Sequence, residues 1–293
     1  PGIVPILDEM GALAEVAAAG FTKKTGSTHI NWGLTPSWDL WFHETELYDH
    51  AWLVERGLFD QILFGAACRA GAEVHEHAAA KGFLREHGRV VGVTWRIRGE
   101  DETRRAFAPF TIDASGQAAL FARGENLRSM IDGLQNFASF AHYHGAGRLP
   151  PPRDKQAFFV AENRRWLWFF PLSETLTSVG IVYLHDDPSG DDAGRERAFE
   201  EAVRGNGRIT EAMGPAARRV TPVHSLRDWS YRMSRVCGPG WFLAGDASGF
   251  IDPVLSSGVF LAMHAGAHAA RTLTAIRGGA AEAQALAAYQ AQH

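Results

Sequence analysis

The chain has 293 residues, of which 46% are hydrophobic and 21% charged, and a formal net charge of −4. These values are typical of a globular protein with a sizeable core and, without a long basic run, argue against a nucleic-acid partner. No apolar stretch is long enough to predict a membrane span, and the two cysteines, Cys68 and Cys237, lack metal or redox spacing. We therefore expect a cytoplasmic protein with reduced thiols.

The first part of the chain alternates between helical and extended patterns. Apolar residues at helical spacing from Ile3 to Val16 predict an amphipathic helix. The sequence then predicts a strand, a helix, a strand, a hairpin turning at His87-Gly88 and a last strand, over residues 51–56, 57–71, 72–77, 82–99 and 107–114. Helices and strands that alternate in this way indicate an α/β sheet.

The stretch from residue 136 to 183 has a different character. Aromatic-rich alternating runs, separated by turn residues, predict an antiparallel sheet with strands over 137–144, 157–161, 166–170 and 178–184. A polar loop (186–192) and a short helix (196–203) follow, and residues 220–232 lead back to the first sheet. We expect the antiparallel sheet to form the wall of a substrate pocket.

Two segments place glycines directly after a predicted strand. The strand 241–244 runs into Gly245-Asp246, a loop with Asp252-Pro253 and Ser256-Ser257-Gly258, and a helix predicted over 259–276. A helix N-terminus behind such a loop can hold an anion or the polar edge of a cofactor, and an Asp at the strand exit can bind sugar hydroxyls. Asp113-Ala-Ser-Gly116 repeats the pattern. An ordinary strand-to-helix connection and a tight turn are the alternatives.

The segment from residue 21 to 33 carries two adjacent lysines, Lys23 and Lys24. In an extended chain they point in opposite directions, so one can face inward while the other stays solvated. An enclosed lysine loses its charge more easily and becomes an amine nucleophile or a hydrogen-bond donor. Two solvated loop lysines are the alternative.

Trp166-Leu-Trp168-Phe-Phe-Pro171 is the third unusual segment. Two tryptophans at i and i+2 on a strand project to the same face and form a bulky apolar wall. In a chain with nine tryptophans, the alternative is an ordinary aromatic core strand.

Together, the lysine segment, the Trp-x-Trp-x-x-Pro segment and Gly245-Asp246 with Ser257-Gly258 resemble flavin-dependent halogenases of the FAD-dependent monooxygenase superfamily, from residue 1 to about 270. The resemblance implies an α/β fold with a Rossmann-type FAD-binding sheet and an antiparallel substrate-binding sheet. It divides the chain into a partial FAD-binding domain (1–135), the antiparallel sheet (136–225) and a return to the FAD-binding domain (226–293). The chain opens without a Gly-x-Gly-x-x-Gly turn, so we expect the first βαβ unit to be absent.

The resemblance also implies the chemistry. Reduced FAD and O2 oxidise chloride or bromide, held at Ser257 and Gly258, to hypohalous acid. The acid passes to Lys24, eight positions before Trp32, while Trp166, Trp168 and Pro171 keep the substrate apart from the flavin. Matching cofactor-binding positions are Gly245, Asp246, Asp252, Pro253, Gly116, Asp113 and Arg56.

The implied substrate is a small aromatic compound, free or tethered to a carrier protein, with a separate flavin reductase as a partner. Tryptophan halogenases have a glutamate two positions before the serine matched by Ser257, where this chain has Leu255. This departure favours a phenol or pyrrole, chlorinated in specialised metabolism such as antibiotic biosynthesis.

Three other interpretations stay open. A flavin monooxygenase or a geranylgeranyl-reductase-like enzyme would share the flavin loop, and the chain could be a non-catalytic fragment of such an enzyme. The third is a metal enzyme using His75-x-His77 or His142-x-His144. Isolated pairs of this kind are mostly solvated or core histidines, and we expect no metal site.

Overall fold

The computed structural model describes residues 1–32, 36–45, 48–184, 191–227, 229–254 and 256–293. They form two compact units, the first made of Pro1–Gly71 and Gly133–Asp228 and the second of Ala72–Asp132 and Trp229–His293. The three-part division into domains that the sequence suggests stays a prediction.

The strands are β1 (Thr22–Lys24), β2 (Gly26–Ile30), β3 (Ser37–Trp41), β4 (Ala51–Leu53), β5 (Ala78–Glu86), β6 (Arg89–Ile97), β7 (Arg104–Phe107), β8 (Thr111–Asp113), β9 (Arg128–Met130), β10 (Asn136–His144), β11 (Ala157–Glu162), β12 (Arg165–Pro171), β13 (Leu176–Leu184), β14 (Arg218–Arg219), β15 (His224–Arg227), β16 (Tyr231–Met233), β17 (Cys237–Gly238), β18 (Trp241–Leu243) and β19 (Gly249–Phe250). The helices are α1 (Val4–Glu9), α2 (Leu13–Ala18), α3 (Arg56–Arg69), α4 (Leu120–Gly124), α5 (Asp192–Gly205), α6 (Gly207–Met213), α7 (Gly258–Arg277) and α8 (Glu282–Ala291). None of these helices is both long and apolar enough to cross a membrane.

An eight-stranded sheet dominates the first unit. Its order is β14-β10-β13-β12-β11-β2-β3, with β15 also paired to β10. The pairings are antiparallel except that of β2 with β11, which run parallel. This sheet corresponds to the antiparallel sheet predicted from the aromatic-rich runs, extended by the lysine segment through β2.

The two faces of this sheet differ. One face packs against α5 and α6 in a hydrophobic core that includes Leu167, Phe169, Ile181, Phe199 and Ile209. Because side chains alternate along a strand, the neighbours of Leu167 and Phe169 on β12 point to the opposite face. That opposite face, called here the aromatic face, carries the mutually contacting rings of Phe140, Phe159, Trp166, Trp168 and Phe170.

The second unit contains three small sheets with the orders β5-β6-β7, β17-β18-β8 and β19-β16-β9. Strands β8 and β18 run parallel, with Asp113 opposite Leu243. The core of this unit includes Phe121, Trp241, Phe242, Ala269 and Tyr289, so α4, α7 and α8 contribute to it.

Most of the predicted elements are present among the described residues, and four differ. The polar loop predicted over 186–192 lies mostly outside the described residues. Residues 72–77 do not form a strand: they are exposed, and β5 begins only at Ala78. The strand predicted over 107–114 is split around Pro109 into β7 and β8, which belong to different sheets. The strand predicted over 51–56 ends at Leu53, and the helix predicted from Ile3 to Val16 breaks at Gly11, whose φ is 69°.

Candidate active site

Lys24 ends β1, where it pairs with Ala51 of β4. Its side chain is buried, with 8% of its surface exposed, whereas Lys23 is exposed. The predicted opposite orientation of the two lysines is therefore confirmed. The role of Lys24 in catalysis is a separate matter and stays a prediction.

The amine of Lys24 lies beside an aromatic ring. Its Nζ lies 5.5 Å from the centre of the Phe42 ring, and among the described residues it has no hydrogen-bond or ion-pair partner. Burial without a compensating partner disfavours the charged form of an amine. It lowers the pKa of Lys24 from the ordinary 10.5 to about 8.

His29, on β2, is a residue that the sequence interpretation did not single out. It is stacked between Trp38 and Phe159, with ring centres 3.9 and 4.8 Å away, and its Nε2 lies 3.0 Å from Ser27 Oγ. Burial first, and then the charge of Lys24, lower the pKa of His29 to about 4, against the opposing effect of Asp39. His29 is thus a neutral imidazole near a lysine and against the aromatic face.

Trp166 and Trp168 lie on the aromatic face as the alternation predicts, with ring centres 5.8 Å apart. Trp168 Nε1 donates a hydrogen bond to Ser178 Oγ at 3.1 Å. Trp166 is 5% exposed, and its Nε1 has no partner among the described residues. Pro171, which ends β12, is buried opposite Thr177.

Phe159 connects the aromatic face to the lysine segment. Its ring lies 6.0 Å from that of Trp166 and stacks on His29, whose protonation responds to Lys24. The fold therefore brings the lysine and tryptophan segments into one neighbourhood.

Arg56 stands apart from these contacts: it begins α3, is exposed, and pairs with Asp60 at 3.0 Å. Its predicted role in cofactor binding stays a prediction.

The predicted cofactor segments meet in the second unit. Strands β8 and β18 are parallel neighbours, so the residues that follow them emerge at the same edge of the sheet. The backbone N–H of Ala244 donates to the carbonyl of Asp113 at 2.9 Å. Gly116 and Gly245, which open the two short 3-10 turns beyond the strands, have φ values of 64° and 61°.

Asp113 supports its own loop. Its carboxylate is buried and accepts hydrogen bonds from the backbone N–H groups of Ser115 and Phe121, at 2.9 and 2.8 Å. These bonds hold Gly116 and the start of α4 in place. The geometry gives Asp113 a structural task at the predicted site.

Two further residues link the two loops, and no sequence signal identified them. Arg128 donates to the carbonyl of Gln117 at 3.0 Å, and its guanidinium lies 3.8 Å from the centre of the Tyr231 ring. The Tyr231 hydroxyl donates to the backbone carbonyl of Asp246 at 2.6 Å. Burial, with the nearby Asp246 charge, raises the pKa of Tyr231 to about 12, so the hydroxyl keeps its proton.

The predicted halide-binding residues lie at the start of α7. Ser257 is the N-cap residue, and within the described part of the chain no side chain caps the first turn. A methyl group on Gly258 would lie 2.8 Å from the Phe250 ring, so a side chain larger than hydrogen would collide there. Asp252 accepts from the backbone N–H of Val254 at 2.8 Å, and burial raises its pKa.

Two further positions of this loop were singled out from the sequence. Pro253 accepts a 2.8 Å hydrogen bond from the N–H of Ser256. Leu255, whose identity suggested the substrate class, lies outside the described residues.

The edge formed by these loops has the features that a dinucleotide flavin needs. A methyl group added at Gly116 would meet no atom within 4 Å, so a ligand can approach the backbone there. Gly245 packs against Ala262 of α7, which brings the loop close to that helix. Backbone that a ligand can approach, together with a helix N-terminus, suits a negatively charged cofactor. The residues present therefore fit FAD.

Metal ligation is not indicated among the described residues, where no three His, Cys, Asp or Glu side chains are grouped as a metal would require. In the first His-x-His pair, His75 stacks on Trp95 with ring centres 4.5 Å apart. In the second pair, burial lowers the pKa of His142.

Comparison with known proteins decides the family. A model of the tryptophan halogenase family matches residues 42–292. The chain belongs to this family. It is 31% identical, over 94% of its length, to a tryptophan 2-halogenase of Chondromyces crocatus. It is 32% identical, over 90% of its length, to a 1H-pyrrole-2-carbonyl-[peptidyl-carrier protein] brominase of Pseudoalteromonas luteoviolacea.

Among solved structures, the chain is similar to the myxobacterial chondrochloren halogenase CndH, described as a variant of FAD-dependent halogenases. The TM-score is 0.90 at 32% identity, over 99% of this chain and 68% of the other. The predicted family, flavoprotein class and fold class are thereby confirmed. The chain spans 53% and 64% of the length of the two curated halogenases.

Proposed function

We propose that this protein catalyses the halogenation of an electron-rich aromatic compound, using reduced FAD, O2 and a halide, with Lys24 as the residue that delivers the halogen. Membership of the halogenase family supports the reaction class. The observation that carries the role of Lys24 is its burial without a polar partner among the described residues, which leaves its amine free to react.

The cofactor would lie along the backbone of Gly116 and Gly245-Asp246, with Asp252 and Pro253 in the loop beyond. When bound, FADH2 supplies the electrons with which O2 oxidises a halide ion to hypohalous acid. Ser257 and Gly258 would hold the halide, because the first N–H groups of α7 have no partner within the helix. Overall, ArH, X⁻, H⁺, O2 and FADH2 give ArX, FAD and two waters.

Lys24 then acts on the hypohalous acid in one of two ways. Its ammonium form can donate a hydrogen bond to the acid and polarise it. Its neutral amine can instead attack the halogen, losing a proton as the O–X bond breaks, to give an N-haloamine and water. The ring next attacks the halogen of the haloamine, and loss of the ring proton restores the amine. With a pKa of about 8, about a quarter of Lys24 is neutral at pH 7.5; at a pKa of 10.5 it would be about one in a thousand.

Trp166 and Trp168 would border the space used by the substrate and keep the ring away from the flavin. An apolar wall retains a flat aromatic ring and excludes water, which would otherwise consume the halogenating species.

For the substrate we propose a phenol or pyrrole, free or bound to a carrier protein, chlorinated in specialised metabolism, with FADH2 supplied by a separate reductase. Leu255 occupies the position where a carboxylate would be expected for free tryptophan. The relatives named above include a tryptophan 2-halogenase and a carrier-bound pyrrole brominase. Tryptophan and bromide therefore belong in the assay beside phenols, carrier-bound pyrroles and chloride.

The experiment compares Lys24→Ala with Lys23→Ala in the full-length protein. Lys23 is the adjacent exposed lysine, so its variant is a matched control. With FADH2, O2 and halide supplied, the aromatic products are identified by mass spectrometry, and O2 consumption is followed in parallel.

We expect Lys23→Ala to halogenate as the wild type does. Lys24→Ala should consume O2 and FADH2 without halogenated product. Product from Lys24→Ala at the wild-type rate would remove Lys24 from the mechanism. Hydroxylated product from the wild type would instead identify a monooxygenase, and consumption of FADH2 without either product would favour a reductase-like activity.

A further inference from the structure

Trp168 and Gly180 lie directly opposite each other on the neighbouring strands β12 and β13. A methyl group at Gly180 would fall less than 3.0 Å from three atoms of the Trp168 indole, namely Cε2, Cζ2 and Cη2. Such contacts are closer than carbon atoms can approach. The six-membered ring of the indole therefore rests on the bare α-carbon of Gly180.

A second contact fixes the same indole from the same strand. Ser178 lies two residues before Gly180, on the same face, and its Oγ accepts the 3.1 Å hydrogen bond from Trp168 Nε1. Trp166, the other tryptophan of the wall, lies opposite Val182 and has no corresponding hydrogen bond among the described residues. The pair Ser178 and Gly180, called here the Trp168 seat, thus anchors one tryptophan of the two.

The neighbours of Trp168 limit where its ring could move. Trp166, Phe170 and Phe140 surround it on the aromatic face, with ring centres 5.8, 5.9 and 6.1 Å away. Phe140 flanks Gly180 from the other side, on β10. A side chain at position 180 would therefore push the indole outward from the sheet, because the lateral positions are filled.

We propose that Ser178 and Gly180 are positioning residues for Trp168, and that the missing side chain at position 180 sets how large an aromatic ring system the site accepts. The inference rests on the proposed function in one respect, that the aromatic face borders the substrate. Raised by an added methyl group, the indole would project further from the face that we propose borders the substrate, and we expect a bicyclic ring to be hindered more than a single ring.

The seating itself is tested by unfolding, in a double-mutant cycle of Gly180→Ala with Trp168→Phe. We expect Gly180→Ala to lower the Tm by about 3 to 8 °C in the wild-type background. In the Trp168→Phe background the change should nearly vanish, because phenylalanine lacks the fused ring that rests on Gly180. An equal loss of Tm in both backgrounds would refute the packing of the Trp168 indole on Gly180.

Ser178→Ala gives an independent cycle. Its removal should lower the Tm where Trp168 is present and leave it unchanged in the Trp168→Phe background, since phenylalanine has no N–H to satisfy. A similar loss in both backgrounds would mean that Ser178 supports something other than the indole.

The effect on ring size is tested by calorimetric titration of the full-length protein with phenol and with 2-naphthol. Gly180→Ala should weaken naphthol binding about tenfold relative to phenol binding. An unchanged ratio of the two Kd values would show that position 180 has a purely structural task. Neither the unfolding nor the titration measurement needs turnover. A wild-type protein that failed to halogenate would refute the proposed function, and the positioning role of Ser178 and Gly180 would still be tested by these measurements.

Discussion

Replacing Lys24 by methionine should stabilise the protein while abolishing halogenation. Methionine has nearly the length of lysine and fits a buried apolar site without carrying a charge. Lys24 is 8% exposed, and its ammonium faces a phenylalanine ring and no carboxylate among the described residues. The native state therefore bears the cost of dehydrating a charge, which Lys24→Met removes.

The magnitude follows from the pKa. Burial lowers it from 10.5 to about 8, which corresponds to a cost of about 3 kcal/mol for the charged form. Well below pH 8 the lysine is protonated in both the folded and the unfolded state, and the folded state bears the full cost. Between pH 8 and 10.5 the unfolded state binds more protons, so the stability of the wild type rises with pH. Above 10.5 both states are neutral and the cost disappears.

The assay is urea unfolding of the wild type, Lys24→Met and Lys23→Met at pH values from 7 to 10. At pH 7 we expect the free energy of unfolding of Lys24→Met to exceed that of the wild type by about 2 to 3 kcal/mol. This advantage should shrink towards pH 10, whereas Lys23→Met should match the wild type throughout. A Lys24→Met protein that is less stable at pH 7, or whose advantage does not change with pH, would refute the reasoning.

Three further predictions concern activity and cofactor binding. The amine of Lys24 loses its proton at about pH 8. If the N-haloamine route operates, the halogenation rate should therefore rise through that pH. A rate that falls there would favour the ammonium as a hydrogen-bond donor. Tyr231→Phe removes the hydrogen bond to the Asp246 carbonyl and should weaken FAD binding about threefold to tenfold, measured by quenching of flavin fluorescence; an unchanged Kd would show that the bond does not position the loop. Trp166→Ala combined with Trp168→Ala should give hydroxylated product or uncoupled O2 consumption, and fully coupled halogenation by this variant would show that the wall does not separate substrate from flavin.

The sequence predicted the parts of the site that depend on local alternation or on a recognisable motif. The opposite directions of Lys23 and Lys24 and the common face of Trp166 and Trp168 follow from the two-residue period of a strand. The long apolar pattern at helical spacing predicted α7, and the glycine-rich loop before that pattern marked where the helix begins. These features need no knowledge of which strand lies beside which.

Contacts between distant segments could not be predicted in this way. Gly180 appears in the sequence as an ordinary glycine within a strand, and only its register with Trp168 shows why a side chain would not fit. Arg128 and Tyr231 belong to short strands without a motif, and their link between two loops depends on tertiary pairing. At residues 72–77 the local propensity predicted a strand that the structure does not contain. Among the described residues, no strand pairs with this segment.

The orientation of the aromatic face is fixed by the core on the other side of the sheet. Leu167 and Phe169 alternate with the tryptophans along β12 and are buried against the cluster under α5 and α6. A slip of one residue in the pairing of β12 would bury the tryptophans there and expose Leu167 and Phe169, losing most of that packing. The parallel pairing of β2 with β11 then places His29 opposite Phe159, so the lysine segment joins the same face although more than a hundred residues separate the two in sequence. The packing of the core therefore also fixes the geometry of the site. A core substitution such as Leu167→Ala should lower the stability of the protein and should also disturb halogenation, because it shifts Trp166 and Trp168.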